Sequence, residues 1–130
     1  MTGPVLVDTS VWINTLRRKG DPELRAELHA AIAAGRAVLC DPVLIELWNG
    51  ARGAPEQRHL RELQGSLRKV AISPPVWEAA HELARICRRA GVSAPAIDIL
   101  IAACAEHYRL TVLHRDAHFD DIERARHSGT

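Results

Sequence analysis

The sequence is poor in cysteine, and the three cysteines it has form no metal or disulfide pattern. Cys40, Cys87 and Cys104 are odd in number and widely spaced, and no CxxC pair occurs in the 130 residues. Neither a disulfide framework nor a zinc ribbon is therefore indicated. Each cysteine lies in an apolar segment, so we expect all three to be buried free thiols.

The chain also lacks a long apolar run and a secretion signal. No stretch approaches the roughly 18 apolar residues of a membrane-spanning helix. No charged segment followed by an apolar one and a small-residue cleavage site opens the chain. These absences predict a cytoplasmic protein that does not associate with membranes.

Charge of one sign is not in excess, because 17 basic residues face 16 acidic ones and the formal net charge is +1. Nucleic-acid binding through overall charge is therefore not indicated, and any such contact must come from a local patch. The run Arg17-Arg18-Lys19 is one candidate, with a solvated charge cluster as the alternative. A hydrophobic content of 47% excludes a disordered chain, and the length predicts a single domain over residues 1–130.

Four short apolar runs predict β-strands, and segments with helical periodicity separate them. The predicted strands cover residues 5–8, 37–40, 69–72 and 111–114. Strands that alternate with helices form parallel sheets covered on both faces. The sequence therefore predicts an α/β fold.

Caps and prolines mark where several of the helices begin. Asp21-Pro22 and Asp41-Pro42 each combine an N-cap residue with proline at the first helical position. Further helices are predicted over 11–18, from 55 to about 65, from 74 to about 91, and from 95 onward, the last one apolar nearly all round. The tail, 118–126, is expected to add one or two helical turns.

Four acids fall where this architecture directs them to one edge of the sheet. Asp8 ends the first strand, and Asp116 lies just beyond the fourth. Glu46 lies near the start of the helix after the second strand, and Asp98 lies near the start of the helix that runs into the fourth. Because ligands of open α/β sheets bind beyond the carboxyl ends of the strands, we expect these four residues to share a cleft.

Clustered carboxylates repel one another, so such a group usually binds cations. Ligands that are all oxygen, with no His or Cys, suit Mg²⁺ or Mn²⁺, which activate water and neutralise a phosphodiester. Each acid also has an ordinary explanation. Asp8 could cap a helix, Glu46 could face solvent, Asp98 could interact with a helix dipole, and Asp116 could belong to a turn.

Other polar and aromatic residues near these acids have less certain roles. Thr9 and Ser10 could cap a helix or contact phosphate, and Arg115, beside Asp116, could bind substrate. His114 and His118 have i,i+4 spacing, but without a HExxH pattern a zinc site is not indicated.

The three tryptophans lie in helical patterns, which favour roles in the core or at an interface. Trp12, Trp48 and Trp77 are all of this kind. Trp48, near the rim of the predicted cleft, is a candidate for a groove that binds a partner.

At these residues the chain resembles the PIN-domain ribonucleases, and in particular the VapC toxins of type II toxin–antitoxin pairs. The resemblance extends over nearly the whole chain and rests on four motifs in order and spacing. They are VLVDTSVWI at 5–13, PVLIELWNG at 42–50, IDILIAACA at 97–105 and LHRDAHFDDI at 113–122.

The resemblance implies a three-layer α/β/α fold with a central parallel sheet of about four strands in the order 3-2-1-4. It implies that Asp8, Glu46, Asp98 and Asp116 are catalytic and bind Mg²⁺ or Mn²⁺, and that the following hydroxyl is Thr9 or Ser10. It further implies endonucleolytic cleavage of RNA, a homodimer, and neutralisation by a cognate VapB-like antitoxin.

Two other function classes compete with this reading. One is a catalytically inactive PIN-like binding protein, which usually loses some of the acids, whereas here all four are present. The other is a metal-dependent phosphatase of another α/β family. A haloacid-dehalogenase type would need an acid two residues after Asp8, where Ser10 stands. Loss of metal-dependent RNA cleavage in Asp8→Asn would discriminate among the three.

Overall fold

The computed structural model of the protein describes residues 3–16 and 19–128, which form a four-stranded sheet and seven helices. Their order along the chain is β1 Val5–Val7, α1 Thr9–Leu16, α2 Pro22–Ala33, β2 Ala37–Cys40, α3 Asp41–Gly50, α4 Gly53–Ser66, β3 Arg68–Val70, α5 Pro74–Arg89, α6 Ala96–His107, β4 Thr111–Leu113 and α7 Ala117–Ser128.

The strands form one parallel sheet in the order β3-β2-β1-β4, which confirms the predicted order and the three-layer α/β/α class. β1 lies between β2 and β4, where Leu6 pairs with Val38 on one side and Val112 on the other. Leu6 and Val7 are fully buried at 0% exposure. An apolar run of this kind is what a strand covered on both faces requires.

The cap predicted for α2 is present, and the one predicted for α3 is not. The Asp21 carboxylate accepts a hydrogen bond from the Glu23 N–H at 2.9 Å. Asp41, in contrast, is the first residue of α3, and the N-cap is Cys40. β2 runs into α3 with no intervening residue, so Cys40 serves both as the end of the strand and as the cap. Asp41 instead forms an ion pair with Lys69 at 3.0 Å.

Other predicted boundaries differ by a few residues. β1 and β4 end at residues 7 and 113, one residue earlier than predicted, because the chain leaves the sheet just before Asp8 and His114. β3 spans Arg68–Val70, so it begins one residue earlier and ends two residues earlier than predicted. The helix predicted near the C-terminus is present, but the predicted length of one or two turns was wrong, since α7 has 12 residues. Phe119, Ile122 and Ala125 bury one side of α7, which packs against α5 and α6.

The buried core follows most of the apolar pattern, but among the described residues Ile13, Leu16, Ile45, Trp77 and Ile97 remain exposed. Every residue of α6 from 100 to 105 is buried, as its apolar sequence predicts, and the three cysteines are free and buried. Trp12 is 4% exposed and belongs to the core, whereas Trp77 is 48% exposed and does not. Among the described residues, no helix combines the length and apolarity needed to cross a bilayer.

Candidate metal centre

Asp8 is a buried carboxylate that follows β1 directly, and only one of its two oxygens has a partner. Oδ2 accepts hydrogen bonds from the Ser10 N–H at 3.0 Å and the Ser10 hydroxyl at 2.6 Å. Asp8 therefore does cap α1, as its ordinary explanation held. Asp8 is only 3% exposed and its Oδ1 is shielded from solvent, yet this oxygen accepts no hydrogen bond from the described residues. A helix cap does not require that second oxygen to be buried.

Ser10 joins the ends of β1 and β4. Its hydroxyl donates to Asp8 and accepts a hydrogen bond from the Arg115 N–H at 3.0 Å. The Asp8 N–H donates to the Leu113 carbonyl at 2.9 Å, which continues the pairing of the two strands. Ser10 therefore holds the loop that carries Asp116 close to Asp8.

The Arg115 guanidinium has a partner outside the acid group. It donates to Asp21 Oδ2 at 2.9 Å, and this hydrogen bond holds the pKa of Asp21 below its ordinary value. Arg115 approaches the site through its backbone, and its contact with substrate stays a prediction. Within the Arg17-Arg18-Lys19 run, Arg17 and Arg18 lie outside the described residues, and Lys19 is exposed.

Thr9 connects Glu46 to the site. The Thr9 hydroxyl donates to Glu46 Oε1 at 2.7 Å, and Thr9 is buried at 7% exposure. Because Thr9 follows Asp8, this hydrogen bond fixes the Glu46 carboxylate beside the end of β1. Glu46 lies near the middle of α3 and is itself exposed.

Asp98 and Asp116 come together with His118 at the beginning of α6 and α7. His118 Nδ1 lies 3.2 Å from Asp98 Oδ2 and 2.9 Å from Asp116 Oδ1. One ligand atom from each of the three residues lies within 4.8 Å of the others. Asp116 Oδ1 also accepts the His118 N–H at 2.9 Å, so Asp116 caps α7 as well as facing Asp98.

The two carboxyl groups have pKa values shifted in opposite directions. Burial, with the nearby charges of Asp116 and Asp8, raises the pKa of Asp98 to about 6. Burial also acts to raise the pKa of Asp116, but the hydrogen bond from the His118 N–H and the adjacent imidazole outweigh it, so that pKa is lowered. Without a cation, a proton taken up by the pair therefore resides on Asp98.

These residues have the properties of a cation site. Asp8 presents a buried oxygen without a hydrogen bond, and Asp98 is only 7% exposed and lies close enough for Asp8 to raise its pKa. Buried carboxylates without a counter-charge are costly, and a divalent cation removes that cost. Asp8, Asp98 and Asp116, with Glu46 beside them, would hold it.

His118 is the residue whose place in the site the sequence reasoning missed. The i,i+4 spacing of His114 and His118 does not indicate a zinc site. In the structure His114 accepts the Asp116 N–H at 3.3 Å and its ring packs against Phe119. The available signal was that His118 lies two residues after Asp116 at the start of α7, so its side chain returns toward the helix cap.

A groove of about 660 Å³ opens beside the acids. Glu46 is one of its lining residues, so the groove and the acid site share a boundary. Trp48, expected in such a groove, does not line it, because its indole N–H donates to Gln64 at 3.1 Å. The apolar residues that line this groove are Trp12, Ile13, Leu16, Leu28, Ile32, Leu47, Leu60 and Leu63.

Comparison with known proteins gives one matching family. The model of the PIN domain matches residues 5–125. Ribonuclease VapC11 of Mycobacterium tuberculosis is 34% identical over 125 residues, which cover 92% of each chain.

Solved structures with this fold include the FitAcB complex of Neisseria gonorrhoeae, at a TM-score of 0.73 and 23% identity, covering 92% of this chain and 93% of that one. The DNA-bound VapBC complex of Salmonella typhimurium has a TM-score of 0.72 at 19% identity and covers 91% of both chains. These likenesses agree with the sheet order and the three layers described above.

The raised pKa of Asp98 predicts that this carboxylate destabilises the metal-free protein at neutral pH. A folded pKa of about 6 exceeds the unfolded value near 3.9, so the folded state binds the proton more tightly. The penalty, of the order of 3 kcal/mol at pH 7, decreases as pH falls through the folded pKa and disappears below the unfolded one. In EDTA, Asp98→Asn should therefore unfold at or above the wild-type temperature at pH 7.

The same experiment repeated between pH 8 and pH 5 should show the wild type gaining stability relative to Asp98→Asn. Glu78→Gln, at an exposed position on α5, is the control and should follow the wild type. If Asp98→Asn is less stable than the wild type throughout this range, Asp98 is a structural cap and the charge penalty is absent.

Proposed function

The chain belongs to the PIN-domain family, among the VapC-type ribonucleases, and from this premise we propose that it is a divalent-metal-dependent endoribonuclease and the toxin of a toxin–antitoxin pair. The observation that carries the proposal is the meeting of Asp98 and Asp116 beside the unpartnered Asp8 oxygen. No observation favours a phosphatase or a catalytically inactive binding protein.

Mg²⁺ or Mn²⁺, when bound, activates water and neutralises charge on the phosphodiester. Asp8 and Asp98 would hold the ion chiefly, and both are rigidly placed. Asp8 is fixed by Ser10, and Asp98 lies within the buried part of α6. Glu46 and Asp116 complete the site or orient the attacking water. The hydroxyls of Thr9 and Ser10 donate to Glu46 and Asp8, respectively, and so keep these two carboxylates in position.

The site lies at the surface of a single domain, where an extended RNA strand can reach it. Asp116 is 29% exposed at its side chain and the His118 ring 43%, so the buried acids have an open side. Hydrolysis of the phosphodiester by water is expected to leave a 5′-phosphate and a 3′-hydroxyl. The basic run at residues 17–19 is proposed as part of the RNA-binding rim.

We expect RNA cleavage to require both the metal and Asp8. Asp8→Asn keeps the size of the side chain and one oxygen that can accept from Ser10, but it removes the charge that holds the cation, so cleavage should fall by about 100-fold or more. Cleavage is measured on an end-labelled RNA with Mg²⁺ or Mn²⁺, and after chelation by EDTA. Asp120→Asn, which makes the same change at a position 74% exposed, is the control and should retain full activity. Cleavage that persists in excess EDTA would contradict the proposal.

The groove beside Glu46 is proposed to receive the cognate antitoxin. Its lining is mostly apolar, and two of its residues on α1 are unusually accessible, with Ile13 42% exposed and Leu16 63% exposed. Exposed apolar surface of this kind favours an amphipathic partner segment. Because Glu46 borders the groove, a Lys or Arg of that segment could pair with the acids and block the cation.

The protein expressed alone should arrest growth, and co-expressed antitoxin should relieve the arrest. Leu16→Asp places a charge in the groove, so it should abolish relief while leaving RNA cleavage intact. Ala26→Asp introduces the same charge at an exposed apolar position on α2 outside the groove lining, so it is the control and should be relieved like the wild type. The growth rates of the wild type and the two variants, each with and without antitoxin, test this prediction. Full relief of Leu16→Asp would remove the groove from the antitoxin interface.

We also propose that the protein is a homodimer. Besides the groove, Ile45, Trp77 and Ile97 are large apolar side chains that remain exposed on the described surface. Such surface is more often covered by a protein partner than left in water. Light scattering should give twice the chain mass of 14.3 kDa, and a monomeric mass at micromolar concentration would contradict this.

A further inference from the structure

We propose that His118 is a ligand of the cation and that its nitrogen makes the site favour Mn²⁺ over Mg²⁺. The inference rests on the proposed function, because it adds one ligand to the same site and thereby selects among the ions that site accepts. It departs from the sequence reasoning, in which the ligands were all oxygen.

The spacing of the three groups fits a single ion. His118 Nδ1, Asp98 Oδ2 and Asp116 Oδ1 lie close together, with Nδ1 at 3.2 Å and 2.9 Å from the two oxygens. The ligand atoms of the three residues all fall within 4.8 Å of one another. Atoms on opposite sides of one small divalent cation are about 4 to 4.5 Å apart. One ion can therefore contact all three groups with small side-chain adjustments.

The alternative role for His118 is a protonated ring that forms an ion pair with the two carboxylates. That role requires the Nδ1–H bond to point at one of their oxygens. Nδ1 is buried and makes no hydrogen bond with any described residue, despite its short distances to both oxygens. Nδ1 is therefore an unpaired ring nitrogen close to both carboxylates, where it could share one ion with them.

The His118 side chain remains partly open to solvent. Nδ1 is shielded, yet the side chain is 43% exposed, so other ring atoms reach solvent. The nitrogen of a histidine ligand that does not bind the metal donates to water or a protein acceptor, and water at this exposed part of the ring could accept that hydrogen bond.

A separate observation points to a cation at this place. Asp8 is 3% exposed, and its Oδ1 accepts no hydrogen bond from the described part of the chain. Asp8 directly follows β1, whereas the other groups belong to α6 and the segment that begins α7. An orphaned buried oxygen from a different element, next to a carboxylate pair and an imidazole, is explained if all of them face one ion.

The nitrogen ligand has a consequence for metal choice. Mg²⁺ prefers oxygen ligands and near-ideal octahedral geometry, whereas imidazole suits first-row transition metals. Mn²⁺ accepts both ligand types, so adding His118 to three carboxylates should raise affinity for Mn²⁺ more than for Mg²⁺. Replacing the ring with an oxygen ligand should reduce the difference between the affinities for Mn²⁺ and Mg²⁺.

The test uses the full chain, stripped of metal with EDTA and then titrated with Mn²⁺ or Mg²⁺ in a calorimeter. His118→Ala should weaken Mn²⁺ binding by about tenfold or more and Mg²⁺ binding by clearly less, while His118→Asp should bring the two affinities closer. His81→Ala changes an exposed histidine of α5 and should alter neither. In both variants the backbone N–H of residue 118 can still donate to Asp116, the residue that caps α7. Circular dichroism melting should confirm that both fold.

Pulsed electron paramagnetic resonance of bound Mn²⁺ provides a direct readout. The wild type should show ¹⁴N coupling that is absent in His118→Ala and His118→Asp. Absence of ¹⁴N coupling in the wild type, or an equal loss of Mn²⁺ and Mg²⁺ affinity in His118→Ala, would overturn the inference.

RNA cleavage, measured separately, distinguishes this inference from the proposed function. If the protein cleaves RNA with metal but shows no ¹⁴N coupling, the nuclease function is supported and His118 is not a ligand. If it shows ¹⁴N coupling but cleaves no RNA, His118 is a ligand and the proposed nuclease function is wrong.

Discussion

The burial of like charges at one edge of the sheet is the constraint on which the rest of the site depends. Asp8 and Asp98 are both less than 10% exposed, and each contributes to the electrostatic environment of the other. A fold selected only for stability would not place two carboxylates there, because each loses hydration and repels its neighbour. The surrounding hydrogen bonds hold the carboxylates in place, and they leave the repulsion to be relieved by a cation or a proton.

Those hydrogen bonds come from a small number of side chains that join distant segments. Ser10 binds Asp8 and the backbone of Arg115, and so connects β1 to the segment after β4. Thr9 binds Glu46 and connects β1 to α3. Because these donors follow Asp8 directly in the chain, the first turn of α1 organises acids that are up to 108 positions apart in sequence.

The acid site and the apolar groove are arranged as neighbours rather than as separate surfaces. α1 contributes Thr9 to the site and Ile13 to the groove, and Glu46 of α3 belongs to both. On the proposed function, a partner in the groove would therefore lie beside Glu46. The Glu46 carboxylate is hydrogen-bonded to Thr9, the residue that follows Asp8. Occupation of the groove and binding of the cation would then compete through charge at Glu46, without any change of fold.

The sequence by itself determined the parallel α/β class, the sheet order implied by the family motifs, and the four acids that the chain directs to one edge. These follow from local periodicity and from strand polarity, which a linear pattern records. Only the tertiary structure decided that Asp98 and Asp116 face each other, that the Arg115 guanidinium turns to Asp21, and that His118 joins the acids. Such contacts depend on how α6 and α7 pack and on which rotamer each side chain adopts. Side-chain direction across packed helices leaves no periodic trace in the sequence.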